Sequence, residues 1–238
     1  MLLLLFILAT LLVILPLYII YKPPNALIRY FQQRWPDVLW QLPTSRNIIA
    51  LTIDDAPSEH TQELLRILTA NNVTASFFII GAQVPGRQDL MVDMVEQGHE
   101  LSNHAMHDEA SKSLSDDELR SQIETVQNLI ANVYKSAGVP QPERRFFRPG
   151  SGFFSTSMRG LVQQMSHQIV LGGIYPHDPQ IPYWWINARH ILSMARPGGI
   201  IICHDRRPWT APMLAKVLPE LRRRGYQVMS LSQALQAT

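Results

Sequence analysis

From Asn47 onward the chain alternates short apolar runs with amphipathic stretches, a pattern that restricts it to a parallel α/β arrangement. Ile48 to Ile53 is followed by Glu59 to Ala70, and Ala75 to Ile80 by Leu90 to Gln97. Later apolar runs at Ile169 to Ile174 and Ile200 to Cys203 read as buried strands. Pro212 to Arg224 has helical character, and Gln227 to Leu231 is a candidate closing strand. Ser115 and Glu118 form a capping-box pattern, after which Leu119, Ile123, Val126, Ile130 and Val133 recur at helical spacing. That spacing predicts a helix over 116–134.

Before this region, Met1 to Tyr21 carries no charged side chain and is broken only by Thr10 and Pro16. It matches the about 20 residues needed to span a bilayer. It runs into Lys22-Pro23-Pro24 and lacks a basic start and a small-residue cleavage site, so a retained transmembrane helix over 1–21 is expected rather than a signal peptide. Residues 22–45 contain Pro23, Pro24, Pro36 and Pro43 among scattered aromatics and read as a juxtamembrane connector. What remains, 46–238, is long enough for one domain with a full core and too short for two large ones.

Composition narrows the chemistry. Lysine and arginine total 21 against 19 acidic residues, a net charge of +2, so no nucleic-acid partner is expected. A single cysteine, Cys203, excludes a disulfide framework and a multi-cysteine zinc site, leaving His, Asp and Glu to hold any metal.

Residues able to do chemistry lie at or just past the C-terminal ends of apolar runs, where parallel α/β folds gather their loops. Asp54 and Asp55 close the first run, and strand alternation sends their side chains in different directions. One can then bind metal while the other faces substrate; the plainer alternative is a helix-capping turn. Gly98 to His104 ends another apolar run, around which His99, His104, His107 and Asp108 cluster, with His104 and Asp108 spaced for one helical turn and His107 as the rival ligand. Arg148-Pro149-Gly150-Ser151-Gly152 is a small glycine-rich turn that either exposes backbone N–H groups to an anion or is an ordinary surface loop. Ile202-Cys203-His204-Asp205 delivers an imidazole at a buried strand end, a natural place for a general acid or base. Arg222-Arg223-Arg224 reads as the basic end of a helix, Cys203 as a small core residue, and Asn72-Val73-Thr74 as a weak glycosylation pattern.

In this order the segments resemble the polysaccharide deacetylase family, carbohydrate esterase family 4 or NodB-homology domain, over roughly Asn47 to the C-terminus. The resemblance implies a distorted (β/α) barrel, here preceded by one transmembrane helix. It implies Asp54 as base and Asp55 as metal ligand, matching Thr52-Ile53-Asp54-Asp55. The family's His-x-x-x-His pair maps to His104 and Asp108, with His107 as the alternative third ligand. Carboxylate oxygen and imidazole nitrogen both bind zinc at about 2.0–2.2 Å, so the change is tolerable. The extra carboxylate lowers the site's charge and shifts preference toward harder ions, leaving zinc the first expectation and cobalt or another divalent ion open.

The resemblance further implies that Arg148 positions the base, the Ser151 N–H stabilises an oxyanion, Asp178 orients the histidine, Ile202 contacts the acetyl methyl and His204 acts as acid. The family's tryptophan after the orienting aspartate is missing, and Trp184 or Trp185 is a candidate replacement wall. The implied reaction is removal of N-acetyl groups from an amino-sugar polymer or oligomer such as chitin. Two alternatives are an O-acetyl polysaccharide esterase and a membrane-tethered carbohydrate-binding protein with weakened catalysis. Lys22, Arg29 and Arg34 would hold their flank of the anchor in the cytoplasm, whereas an external polysaccharide favours an extracytoplasmic or lumenal domain.

Overall fold

The computed structural model describes the backbone of residues 2–238, and side-chain surroundings at residue 10 and from residue 12 onward. Helix α1 (Leu2–Tyr21) leads into α2 (Asn25–Arg34) and the short strand β1 (Val38–Leu39). The segment expected to be a transmembrane helix over 1–21 does form a helix, α1, although the side chains of residues 1–9 and 11 lie outside the described residues; among those described no helix is long and apolar enough to cross a membrane.

Residues 22–45 depart from the expected connector. Ile28, Val38, Leu39 and Leu42 are buried, and Val38 and Leu39 pair in parallel with Ile169 and Val170. Asp37 accepts two bonds from Arg159, at 2.7 and 2.6 Å. The prolines cut the segment into short pieces, but the apolar side chains between them cover a sheet edge that would otherwise stand open.

Strands and helices then alternate: β2 (Ile48–Ala56), α3 (Thr61–Asn71), β3 (Ser76–Ile79), α4 (Gln88–Glu96), β4 (Glu100–Asn103), α5 (Asp116–Ala137), β5 (Arg145–Phe147) and α6 (Thr156–Gln164). They continue with β6 (His167–Val170), α7 (Trp184–Met194), β7 (Ile200–His204), α8 (Thr210–Arg223), β8 (Gln227–Met229) and α9 (Leu231–Gln236). Helix α5 begins as its pattern requires, with the Glu118 N–H donating to Ser115 Oγ at 3.2 Å, and all five of its predicted apolar positions are buried.

The strands form one parallel sheet in the order β1-β6-β5-β4-β3-β2-β7, with β8 beside the start of β2. The result is a parallel-strand half-barrel. Beyond β7, Ile174 makes an isolated parallel bridge, its N–H donating to Ile200 O at 3.1 Å while its carbonyl accepts from Ile202 N–H at 3.0 Å. The chain leaves β6 through Gly172, where φ is 125° and a Cβ would meet Ile200 O at 3.1 Å.

Strand β2 is buried at all nine positions, as expected for a parallel strand covered on both faces. Ile49, Leu51 and Ile53 pack outward against Leu64 and Leu68 of α3 and Leu214 and Val217 of α8. Ile48 and Ala50 belong instead to the cluster with Phe78, Phe146, Val170 and Ile200 inside the half-barrel. The two-residue period continues through Thr52, so it aims Asp54 at that interior.

Candidate active site

Because every pairing in the sheet is parallel, the C-terminal ends of β2, β4, β5 and β7 meet at one end of the half-barrel, around a cleft of about 590 Å³. Asp54, Asp55, His104, Asp108, Arg148, Ser151, Ile202 and His204 all line it. Asp54 is the Cα partner of His204 across β2 and β7. Its carboxylate accepts a bond from Arg148 Nη1, which also donates to Thr52 Oγ1 at 2.9 Å. The rest of that guanidinium is engaged too: Nε donates to Val170 O at 3.1 Å, Nη2 to Leu171 O at 2.9 Å, and its carbon lies 4.1 Å from the Phe78 ring centre. A buried cation so completely bonded cannot swing, so it fixes the Asp54 carboxylate in one orientation.

Asp55 sits in the left-handed region, φ 64°, which separates its side chain from that of Asp54. Burial raises its pKa above the ordinary carboxylate range, opposed by His204 and His104 and reinforced by Asp54 and Asp108. Asp55 Oδ1 lies 3.7 Å from His104 Nε2. His104 Nδ1 lies 2.6 Å from the carbonyl of Arg148, which can only accept, so Nδ1 carries the proton and Nε2 presents a lone pair. Two buried lone-pair donors facing each other fit a cation between them, with the Arg148 carbonyl fixing the tautomer.

The third expected ligand is not brought into that pair. Asp108 lines the cleft but is exposed, and His107 is exposed outside it. Among the described residues no group of three His, Cys, Asp or Glu side chains is close enough to hold a metal ion. The helical turn expected to carry His104 and Asp108 does not form: the chain turns at Ala105, φ 62°, and runs through a loop until Ser111.

His204 Nδ1 lies 3.0 and 3.1 Å from the two oxygens of Asp178, and the His204 N–H donates to Asp178 Oδ2 at 2.8 Å. Burial disfavours charge on this imidazole, but Asp178, with Asp54 and Asp55, outweighs it and pushes the pKa up to about 9. Neighbouring Asp205 is buried, which raises its pKa to about 6 against the bonds it accepts from Thr61 Oγ1, Ser58 Oγ at 2.9 Å and the Ser58 N–H at 3.2 Å. The Asp205 N–H in turn donates to Asp54 O at 2.8 Å. This network ties the ends of β2 and β7 together.

Ser151 adopts φ 62° and its N–H has no acceptor among the described residues, leaving it available to a ligand. Gly150 before it is required by space, because a Cβ there would stand 1.9 Å from Glu109 O. In β7, Ile202 and His204 are the two partly exposed positions, so alternation turns both toward the cleft. Asp55, Ala105, Ser151 and His177 are four of the six non-glycine residues with positive φ among those described, placing backbone strain around this cleft.

The cleft also contains residues that sequence reasoning missed. Trp40 forms part of one wall, braced by ring contacts to Phe31 at 4.9 Å and Phe154 at 6.3 Å. Tyr175, whose ring lies 5.9 Å from that of His204, and Arg207 also line the cleft, and Trp209 Nε1 donates to Asp178 O at 2.8 Å. Trp184 and Trp185, the suggested replacement wall, instead line a separate groove with Lys216 and Arg224. Polar spacing alone cannot reveal Trp40, which reaches the site only through the pairing of β1 with β6.

Comparison with known proteins agrees with this arrangement. Residues 41–170 match the family model described as polysaccharide deacetylase. The chain is 30% identical over 208 residues to a peptidoglycan-N-acetylglucosamine deacetylase of Bacillus cereus, covering 83% of this chain and 92% of that one. It is 31% identical over 200 residues to a chitooligosaccharide deacetylase of Sinorhizobium fredii, covering 78% and 90%. Among solved structures, a mutant of a CE4-family pseudoenzyme from Bacillus anthracis with restored activity superposes with a TM-score of 0.75 at 25% identity, covering 83% of this chain and 71% of that one. A peptidoglycan N-acetylglucosamine deacetylase shares the fold with a TM-score of 0.78 at 23% identity, covering 85% and 95%.

Proposed function

This chain belongs to the polysaccharide deacetylase family, hydrolases of non-peptide carbon–nitrogen bonds, and we propose that it removes N-acetyl groups from amino-sugar polymers or oligomers with the help of a divalent metal ion. The observation that carries the proposal is the placement of a fixed carboxylate, Asp54, beside an imidazolium, His204, on paired strands. Such a pair supplies a base and an acid to the same substrate.

Asp55 and His104 would hold the metal, with Asp108 lining the same cleft as a further carboxylate. When bound, a divalent ion of the zinc type would supply positive charge to the amide carbonyl oxygen and make water easier to deprotonate. Asp54, oriented by Arg148, takes the proton from the attacking water. The free N–H of Ser151 donates to the oxyanion of the tetrahedral intermediate, an interaction worth about 3–4 kcal/mol at well-placed sites. Ile202 offers an apolar surface to the acetyl methyl group. His204, held by both oxygens of Asp178, gives its proton to the leaving amine, and acetate departs.

The same reading makes residues 1–21 a membrane anchor, with the catalytic domain on the extracytoplasmic or lumenal side where such polymers occur. It is supported by the uncharged apolar composition of that stretch and by Leu12, Val13, Ile14 and Ile20, which stand exposed on α1. Acetate release from N-acetylated chitooligosaccharides, set against acetylated xylan, tests the proposed activity. Release from the xylan alone would replace it with ester hydrolysis.

A further inference from the structure

The cleft contains one cation that the proposed chemistry does not use. Arg207 lies three positions beyond His204 in the loop between β7 and α8 and lines the same cleft. Its Nη1 donates to Arg206 O at 3.2 Å. Its Nε is shielded from solvent yet has no hydrogen-bond partner, and neither Nε nor Nη2 meets an acceptor among the described residues. A buried donor without an acceptor costs free energy that a ligand oxygen would return.

The empty groups form a recognisable edge. Elsewhere in this molecule the Nε and Nη2 of arginine grip a carboxylate as a pair. Arg159 does so on Asp37 at 2.7 and 2.6 Å, and Arg223 on Glu220 at 2.7 Å for both bonds. Arg207 presents this fork with nothing in it. The cleft's own carboxylates do not fill it: Asp54 is held by Arg148, Asp55 faces His104, and Asp108 forms no ion pair with Arg207 among the described residues.

We infer that Arg207 is a subsite for a carboxylate carried by the substrate, so that the preferred substrate is an N-acetylated amino sugar in an acidic glycan. The inference rests on the deacetylase reading for the identity of the sugar, but not for the subsite itself. A planar fork of two parallel N–H donors matches a carboxylate in both geometry and charge. The position of Arg207 beside His204 puts that carboxylate near the ring whose amine receives the proton. It belongs either to an acidic ether substituent on the reacting sugar or to a uronic acid beside it.

Three oligosaccharides of equal length separate these cases: one of neutral N-acetylglucosamine, one containing N-acetylmuramic acid, and one alternating N-acetylglucosamine with a uronic acid. Binding to chelator-treated full-length protein by calorimetry, and acetate release by the metal-loaded protein, are measured for the wild type, Arg207→Gln and Arg207→Lys. The expected result is a wild-type preference of tenfold or more for one acidic oligosaccharide, lost in Arg207→Gln and only partly restored in Arg207→Lys, which keeps the charge without the fork. Whichever acidic oligosaccharide is preferred identifies the source of the carboxylate. Equal binding of all three by the wild type, or an undiminished preference in Arg207→Gln, overturns the subsite. A preference in binding that depends on Arg207, with no acetate released from any oligosaccharide, supports the subsite and overturns the deacetylase reading.

Discussion

Asp54 and His204 are direct partners across the pairing of β2 with β7, and each is held from behind by a buried residue of opposite charge, Arg148 for the carboxylate and Asp178 for the imidazole. In the proposed mechanism the carboxylate and the imidazole therefore meet the substrate already oriented, so little reorganisation is left for the reaction itself.

The imidazole of His204 should titrate near 9 in chelator-treated protein, followed by histidine NMR. A folded-state pKa raised above the ordinary value of 6.5 means that its contribution to stability is complete below 6.5 and is lost as pH rises through about 9. Asp178→Asn removes the principal stabilising charge, so the titration should move to lower pH and the loss of stability above neutrality should shrink. An unmoved titration in Asp178→Asn would show that another group sets the charge of His204.

Arg148 cannot be replaced by another cation without losing its four bonds. Arg148→Lys should keep the charge but misplace Asp54, lowering kcat by about 100-fold, as expected for a misplacement near 1 Å. Arg148→Ala should in addition cost roughly 3–5 kcal/mol of stability, because it leaves the buried Asp54 carboxylate unpaired. Urea unfolding and steady-state kinetics on the two variants separate these effects.

Asp205 is a structural brace rather than a reacting group. Asp205→Ala leaves the Ser58 and Thr61 donors without their acceptor and should destabilise the fold by about 1–3 kcal/mol. Thermal unfolding measures this directly.

Trp40 should act on substrate affinity. Trp40→Ala removes one wall of the cleft and should raise KM by roughly fivefold, or about 1 kcal/mol, with a smaller effect on kcat. Trp40→Phe retains a ring in the same aromatic cluster and should recover most of the loss. A fall in kcat with unchanged KM would assign Trp40 to another task.

The positions of most candidate residues could be read in the sequence because they sit at the ends of apolar runs, where local patterning fixes both strand and direction. Asp54, Asp55, His104, Arg148, Ser151 and His204 reach the cleft on that basis, whereas Ile202, which lines it, and Asp178, buried behind His204, were indicated only by the family resemblance. The parallel α/β class and the α5 helix were equally legible, since each depends on spacing within one segment. What could not be read depends on contacts between distant segments. The pairing of Val38 with Ile169 turns an apparent connector into a sheet edge and carries Trp40 to the cleft. The loop after His104 does not form the helical turn that spacing allows, so Asp108 remains on the cleft's exposed side. The isolated bridge of Ile174 to β7 and the close approach of Gly172 to Ile200 are likewise contacts between distant segments, which no period in the sequence announces.

In the proposed mechanism Asp54 is the base of a metal-dependent deacetylase and its neighbour Asp55 holds the metal. Acetate release from N-acetylated glucosamine oligomers, measured with metal content on the same preparations of wild type and Asp54→Asn, tests it most directly. The expected result is equal metal in both and a loss of activity in the variant of about 10²–10⁴-fold, the usual contribution of a general base. Turnover by Asp54→Asn close to that of the wild type would show that Asp54 is not the base.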